Sequence, residues 1–307
     1  MRKGSKTNFN KLNSVSSGWN ILLNLILLGY ALFCIMPLIL LIMASLTEEK
    51  TLAINGYSFI PAKFTAYAYD YIFKNTPQVI TAYGITIFVT VVGTILSILV
   101  MSLYAYPISR KDFKYKNFFS FFMIFTMIFN GGLVSTYLIG VHVLHFKDNL
   151  FGLIFPFLMN AFWVIILRTF YQTNVPDSLL ESAKIDGAGD FTTFFQIVFP
   201  LALPGIATIA LFAMLQYWND WFLATLYINS PNLAPLPYML YQLQTSMQYL
   251  LQNSSNIGTR AADVLATMPM ESARMAMVVI GVGPIIFTFP FFQKYFVKGL
   301  TVGAIKG

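Results

Sequence analysis

The polar stretch that decides the fold reads Val175-Pro-Asp-Ser-Leu-Leu-Glu-Ser-Ala-Lys-Ile-Asp-Gly-Ala-Gly-Asp-Phe-Thr-Thr-Phe-Phe-Gln-Ile-Val-Phe-Pro-Leu-Ala-Leu-Pro204, and it separates two long apolar segments. Pro176 suits the first turn of a helix, and Gly187 suits the residue that follows its end. Asp190 then suits the N-cap of a second helix. The pattern predicts two short helices that meet at a glycine elbow, residues 175–201.

The composition is that of an integral membrane protein. The 307 residues are 57% hydrophobic and 10% charged, whereas a soluble domain carries about a quarter charged residues. The one cysteine, Cys34, cannot form a disulfide within the chain, so cysteine usage says nothing about the redox compartment. The net charge of +7 is explained by cations around membrane segments. We therefore expect lipid, and not nucleic acid, as a partner.

Six apolar segments are long enough to cross a bilayer, which takes about 20 residues of helix. They run roughly over residues 21–43, 79–106, 118–139, 150–167, 203–228 and 275–292. The sequence predicts an all-α membrane protein with six transmembrane helices within residues 19–297. Short tails occupy residues 1–18 and 298–307, and long outer loops occupy residues 44–78 and 229–273.

The third apolar segment is interrupted by Asn130, Gly131 and Gly132. These residues fit either a helix-packing notch or a flexible point in a moving core. In the second outer loop, leucine and methionine recur at helical spacing between Leu236 and Leu251, which predicts a short helix there. Glu271 suits the positive N-terminal end of the sixth spanning helix.

The lysines and arginines orient the six segments. With a cytoplasmic N-terminus, thirteen of the 19 fall on the inner side and six on the outer side. Loops on the cytoplasmic side carry an excess of these residues. Both termini and the glycine elbow are therefore predicted to be cytoplasmic.

The elbow resembles the EAA loop of ABC importer permeases, whose pattern is Glu-Ala-Ala, three residues, a glycine and, about nine residues later, Ile-x-Leu-Pro. This pattern is carried here by Glu181, Ser182, Ala183, Gly187, Ile197, Phe199 and Pro200. Ser182 replaces the first alanine and Phe199 replaces the leucine, and both changes are mild.

Three further segments narrow the resemblance. Tyr217-Trp-Asn-Asp-Trp-Phe222 resembles the fifth-helix motif of carbohydrate permeases of the maltose-transporter (MalG-like) type. Phe129-Asn-Gly-Gly-Leu133 and the C-terminal run from Phe292 to Gly307 are similar to the LplC-like or YtcP-like oligosaccharide branch of that family. The resemblance extends from Ile21 to the C-terminus.

The resemblance implies one of two non-identical permease subunits of an importer in a bacterial plasma membrane. Two copies of an ABC ATPase would bind beneath them and would carry the ATP and Mg. An extracytoplasmic sugar-binding protein or lipoprotein would deliver a sugar, expected to be an oligosaccharide, from outside. The residues expected to couple the permease to the ATPase are Glu181, Ser182, Ala183, Asp186, Gly187, Lys298 and Lys306.

The expected sugar path is lined by Asn160, Gln216, Trp218, Asn219 and Asp220. Gln216 and Asn219 are three residues apart and share one helix face. Polar side chains can bind sugar hydroxyls, and an aromatic ring can stack on a sugar face. Two alternatives stay open: these residues only shape the cavity, or the Asp220 carboxylate reaches out of the membrane to the interface.

The chain contains no Gly-x-x-x-x-Gly-Lys-Ser/Thr loop, so ATP hydrolysis is expected on another chain. No motif of an intramembrane hydrolase or metalloprotease is present either, so we predict a transport subunit without catalytic residues or cofactor. His142 and His145 lack a third ligand nearby in the sequence, so no metal site is expected. The alternative function is an ion-coupled secondary transporter of a small polar solute, for which Asp220 is the one acidic residue within the predicted spans.

Overall fold

A computed structural model of the chain describes residues 17–75, 78–252 and 269–304. Within these ranges the regular structure is helical, with one isolated antiparallel bridge between Thr47 and Phe64. The α-helices are α1 Ser17–Ser45, α2 Glu49–Asn55, α3 Tyr67–Asn75, α4 Gln78–Ser109, α5 Lys116–Ile128, α6 Gly132–His142, α7 Phe151–Ile154, α8 Ala161–Asn174, α9 Asp177–Ile185, α10 Asp190–Thr193, α11 Phe199–Leu201, α12 Leu203–Asn219, α13 Phe222–Tyr227, α14 Leu236–Gln252 and α15 Met270–Ala304. The predicted all-α class is confirmed for this part of the chain, and α14 confirms the helix predicted in the second outer loop.

Three of the described helices are long and apolar enough to cross a membrane, and the number rises to as many as six if each of three bent helix pairs forms one span. The long helices cover Gly18–Ser45, Gln78–Ser109 and Met270–Thr288. The bent pairs are Lys116–Ile128 with Gly132–His142, Phe151–Phe157 with Ala161–Asn174, and Asp190–Leu201 with Leu203–Asn219. Each of the six apolar segments predicted from the sequence overlaps one of these candidates.

The break at Asn130 to Gly132 is a sharp turn rather than a helix-packing notch within this chain. The two flanking helices are bent by 111°. Gly132 has a φ of +80°, and its N–H donates a hydrogen bond of 2.8 Å to the Asn130 side chain. A Cβ added at Gly132 would meet nothing within 4 Å, so the glycine is needed here for its backbone conformation.

The described residues divide into two compact units: those up to Ile72 together with residues 269–279, and the remainder. In the first unit, the carboxylate of Glu49 caps the N-terminus of α15. It accepts hydrogen bonds from the backbone N–H groups of Glu271 and Ser272, both at 2.9 Å, and from the Ser272 hydroxyl at 2.8 Å. These contacts satisfy N–H groups that a helix start leaves unpaired, and Glu271 lies in the first turn of α15 as predicted.

In the second unit, α4 packs against α8 and α12. A Cβ added at Gly93 would lie 2.6 Å from the Tyr217 ring, so the glycine allows this ring to lie directly on α4. The Tyr217 hydroxyl donates to the carbonyl of Ile154 at 2.9 Å, and the Ser97 hydroxyl donates to that of Phe157 at 3.2 Å. A broken helix at membrane depth needs such partners for its freed backbone groups.

Candidate functional site at the glycine elbow

The first arm of the elbow, α9, ends in a left-handed glycine turn. Gly187 has a φ of +76°, and its N–H donates to the carbonyl of Lys184 at 3.2 Å. The N–H of Ala188 donates to the carbonyl of Ala183 at 2.9 Å. This pair of bonds is the Schellman arrangement, in which a glycine just after the helix satisfies its last carbonyls. The predicted position of Gly187, just after the end of the first helix, is confirmed.

Two positions predicted at the elbow differ from the structure by one residue. Pro176 is the N-cap of α9, with an extended backbone, rather than a residue of its first turn. Gly189, not Asp190, is the N-cap of α10, and Asp190 is the first residue of that helix. The Asp190 carboxylate instead lies 3.6 Å from the guanidinium of Arg110.

The second arm enters the hydrophobic core. It consists of α10, a π-helical turn at Phe194–Val198 and α11, and the chain bends by 82° before it continues as α12. Phe194 and Val198 are buried, and the Phe194 ring lies 5.3 Å from that of Tyr106 near the end of α4. A movement of this arm would therefore displace core residues directly, among them Tyr106 of α4.

The segment Arg110 to Asp112, which we call the strap, follows directly after α4. The Arg110 guanidinium binds the Asp112 carboxylate through two parallel hydrogen bonds of 2.8 and 2.7 Å. It also donates to the Tyr106 hydroxyl at 2.7 Å. Arg110 is thus held at a fixed geometry, as paired guanidinium–carboxylate contacts require. The guanidinium holds the pKa of the Asp112 carboxyl below its usual range, so the pair is charged at neutral pH.

The strap contacts both arms of the elbow. Lys111 donates a hydrogen bond of 2.7 Å to Asp177 at the start of α9, and Asp177 raises the pKa of Lys111. Lys184, at the end of α9, lies 3.9 Å from Asp112. Together with the ion pair between Arg110 and the second arm, three charge contacts tie the strap to the elbow.

The elbow presents large apolar side chains to its surroundings. Ile185 is 86% exposed and Phe191 is 73% exposed, and they lie on either side of the glycine turn. Neither residue is among the predicted coupling residues. Ile185 follows the buried Ala183 by two residues, and a helix turns by about 100° per residue, so its exposed position was readable from the spacing. Exposed apolar groups clustered at a turn are typical of a docking surface.

The expected coupling residues lie at or beside this turn. Ala183 is buried, and the Ser182 hydroxyl donates to the carbonyl of Ser178 within α9 at 2.9 Å. Glu181 is exposed and lines a charged cleft of about 280 Å³ between α9 and the strap. Asp186 is the exposed C-cap residue of α9. The side chain of Lys298 and the whole of Lys306 lie outside the described part of the chain, so their expected contacts stay predictions.

The residues expected along the sugar path make contacts within the chain. Asn160 is the N-cap of α8 and accepts bonds from two backbone N–H groups, at 3.0 and 3.3 Å. Trp218 is buried and donates to the carbonyl of Gly281 at 3.0 Å. Asn219 donates to the carbonyl of Leu215 at 2.8 Å, and Gln216 is half-buried. Asn160 and Trp218 thus have structural partners.

Asp220 was predicted to lie within the fifth spanning segment, but in the structure it lies in a break between two helices. Helix α12 ends at Asn219 and α13 begins at Phe222. The Asp220 carboxylate accepts a long hydrogen bond of 3.4 Å from the N–H of Leu223. A carboxylate in this break can help to satisfy the N–H groups at the start of α13, which explains why an acid is tolerated there.

A search of protein families supports the resemblance carried by the elbow. Residues 112–302 match the family described as the inner membrane component of binding-protein-dependent transport systems. The chain belongs to this family. The match begins at Asp112 and includes both arms of the elbow, whereas Arg110 and Lys111 of the strap precede it.

Individual relatives of this permease agree with the carbohydrate branch. It is 39% identical over 281 residues to the polygalacturonan/rhamnogalacturonan transport system permease protein YtcP of Bacillus subtilis, covering 92% of this chain and 96% of that protein. It is 37% identical over 279 residues to protein LplC of the same organism, covering 91% and 92%. A crystal structure of a bacterial ABC transporter involved in the import of the acidic polysaccharide alginate superposes with a TM-score of 0.76 at 29% identity, covering 92% of this chain and 98% of that chain.

These findings confirm the resemblance to carbohydrate permeases of ABC transporters, and they favour this assignment over an ion-coupled secondary transporter. The permease also has an open cavity of about 550 Å³ at α14, lined by polar residues such as Asn229 and Gln242 and by apolar ones such as Met239 and Leu243. Tyr241 stacks on Trp221 with ring centres 4.3 Å apart. This ring contact joins α14 to the residue that precedes α13.

Proposed function

We propose that the permease is one membrane-spanning subunit of an ATP-driven importer for a sugar polymer or oligosaccharide. The family assignment supports the importer, and the names of the relatives support the substrate class, because YtcP is named for polygalacturonan and rhamnogalacturonan and the structural relative for alginate. Six spans are proposed, with each bent helix pair crossing the membrane once. Both termini and the elbow are on the cytoplasmic side, in accord with the distribution of lysine and arginine.

The elbow docks onto a partner ATPase subunit. The observation that carries this proposal is the pair Ile185 and Phe191, two exposed apolar side chains beside a turn held by the Schellman bonds of Gly187. An apolar residue that is 86% exposed gains free energy when a partner covers it, at about 25 cal/mol per Å² of buried apolar area. Glu181 and Asp186 supply charges at the edge of this surface.

The rest of the transporter is supplied by other chains. Two copies of an ABC ATPase bind and hydrolyse ATP with Mg, a second, non-identical permease subunit completes the pathway, and an extracytoplasmic binding protein delivers the sugar. Closure of the ATPase pair moves the elbow, and the spans change from inward-open to outward-open. Such alternating access requires that each ligand stabilises one of the two states.

The sugar path of this subunit runs beside α12. Gln216 and Asn219 lie on one face of that helix and are not fully buried, so they are the residues best able to bind hydroxyl groups. Asn160, Trp218 and Asp220 shape the path through the contacts that fix α8, α12 and the start of α13. An unchanged uptake rate in the double variant Gln216→Ala/Asn219→Ala would remove these two residues from the path.

The docking proposal is tested by purifying the assembled transporter with Ile185→Asp. We expect the permease to insert in the membrane and to lose its ATPase, because a charge replaces the apolar contact. The matched control is Ile54→Asp, since Ile54 is 83% exposed in α2, in the predicted outer loop. An ATPase that remains bound with Ile185→Asp and is lost with Ile54→Asp would contradict the proposal, as would sugar uptake by the permease alone.

A further inference from the structure

We infer that Arg110 is a positioning residue that makes the elbow and the end of α4 move as one body. The inference rests on the proposed function, because it assigns the route by which movement of the elbow reaches the spans. The relevant contacts are made by Arg110 and the rest of the strap, a segment that the sequence analysis treated only as a run of cytoplasmic cations.

The first step is the anchoring of Arg110 to α4. Its side chain is only 14% exposed, and it donates to the hydroxyl of Tyr106, a buried residue of α4. The guanidinium also lies 5.6 Å from the centre of the Tyr106 ring. The two hydrogen bonds to Asp112 then fix the orientation of the guanidinium plane. Arg110 is thus held by the helix before it and by the strap after it.

The second step is the reach from this anchor to the elbow. The Arg110 guanidinium lies 3.6 Å from Asp190 in the second arm. Asp112, which Arg110 orients, faces Lys184 in the first arm at 3.9 Å. One arginine is therefore connected, directly or through its carboxylate partner, to charged side chains of the arms on both sides of Gly187. Each of these exposed ion pairs contributes at most about 1 kcal/mol, or about fivefold in an equilibrium, so their effect depends on Arg110 linking them.

The strap and the two arms also border an open cavity, which limits direct packing of the strap on the elbow. The cavity of about 630 Å³ is lined by residues of α4, the strap and both arms, among them Leu103, Phe113, Leu180 and Phe191. Beside the cavity, the end of α4 and the second arm share a buried apolar core that includes Tyr106 and Phe194. At the cavity itself, the charge contacts of the strap connect the two sides. Loss of Arg110 removes the charge contact to the second arm and the two bonds that orient Asp112.

The experiment uses the assembled transporter in proteoliposomes and measures three quantities: the amount of ATPase bound, the ATPase rate, and the sugar transported per ATP hydrolysed. Allosteric coupling between sites is typically about 5- to 150-fold. In Arg110→Met we expect ATPase binding and ATPase rate within about twofold of wild type and a transport ratio reduced about tenfold. Arg110→Lys is expected to have a transport ratio between those of Arg110→Met and wild type. An ammonium keeps the positive charge but lacks the planar set of N–H donors of a guanidinium.

Two comparisons separate transmission from simple misfolding. Lys114→Met, which removes an exposed cation two residues beyond the strap, is expected to leave all three quantities unchanged. Lys111→Asp and Asp177→Lys are each expected to lower the transport ratio, and the double exchange to restore it, since the pair at 2.7 Å is rebuilt with opposite signs.

An unchanged transport ratio in Arg110→Met would overturn the inference. Loss of bound ATPase in proportion to the loss of transport would overturn it as well, because Arg110 would then only maintain the docking surface. If no ATPase binds the wild-type permease, the proposed function fails before the variants are compared, so the two failures are distinguishable.

Discussion

Replacing Gly187 by alanine tests whether the shape of the elbow turn transmits force. Gly187 has a φ of +76°, and a Cβ added there would meet nothing within 4 Å, so the cost of alanine is conformational and not steric crowding. A left-handed conformation costs an L-residue roughly 1–2 kcal/mol. This lowers the population of the correctly turned elbow about 5- to 30-fold relative to its alternatives.

Gly189 is a matched control two residues away. Its φ is −70°, a value that any residue adopts, and the space around it is also open. Gly189→Ala is expected to be close to neutral, because a gain of about 0.4–1 kcal/mol from lower entropy of the unfolded chain is offset by the poorer N-cap that alanine makes. Gly187→Pro is the severe variant, because proline fixes φ near −65° and has no N–H for the bond to Lys184.

The assay is sugar-stimulated ATPase activity of the reconstituted transporter, with membrane insertion measured in parallel. We expect Gly187→Pro to insert normally and to lose the stimulation, Gly187→Ala to lose part of it, and Gly189→Ala to keep it. Normal stimulation in Gly187→Pro would refute the reasoning. Equal losses in the two alanine variants would show that the left-handed turn has no special role.

Three further predictions concern the stability of the bundle and its outer contacts. Tyr217→Phe removes the bond to the Ile154 carbonyl and is expected to destabilise the purified permease by about 1–3 kcal/mol, measured by thermal unfolding in detergent; an unchanged midpoint would contradict the role of that bond. Gly93→Ala places a methyl group 2.6 Å from the Tyr217 ring and is expected to destabilise the permease by about 1–3 kcal/mol through overpacking. The same thermal assay measures it, and an unchanged midpoint would show that the ring moves freely. Glu49→Ala removes the cap of α15 and is expected to cost about 0.5–2 kcal/mol, read out as faster hydrogen exchange at the start of that helix; unaltered exchange there would contradict it.

Local features of the elbow were predictable from the sequence. Gly187 follows a helix-forming run and obeys the rule for the residue after a helix end, which depends only on backbone sterics.

Outside the elbow, the helix at 236–252 was predictable from the spacing of its apolar residues. Asn160 was assigned to the sugar path, although an Asn before an apolar run is also the mark of an N-cap, and that role is the one the structure gives it.

The features that were missed depend on distant parts of the chain. The strap and Asp177 are 66 residues apart, and sequence periodicity carries no information about such pairs. The same holds for Asp190, which was predicted as a cap and pairs instead with Arg110. The break at Asn130 to Gly132 was visible as a run of helix-breaking residues, but whether it packs or turns depends on what surrounds it.

The docking of the elbow onto an ATPase is the central claim, and cysteine cross-linking tests it most directly. Cys34 is the only cysteine of the chain, so Cys34→Ser provides a clean background for Ile185→Cys in the elbow and for Ile54→Cys in α2. We predict that Ile185→Cys forms a cross-linked product with the ATPase subunit in native membranes and that Ile54→Cys does not. A thiol at residue 185 that yields no ATPase product, and that an impermeant reagent labels from outside intact cells, would contradict the account.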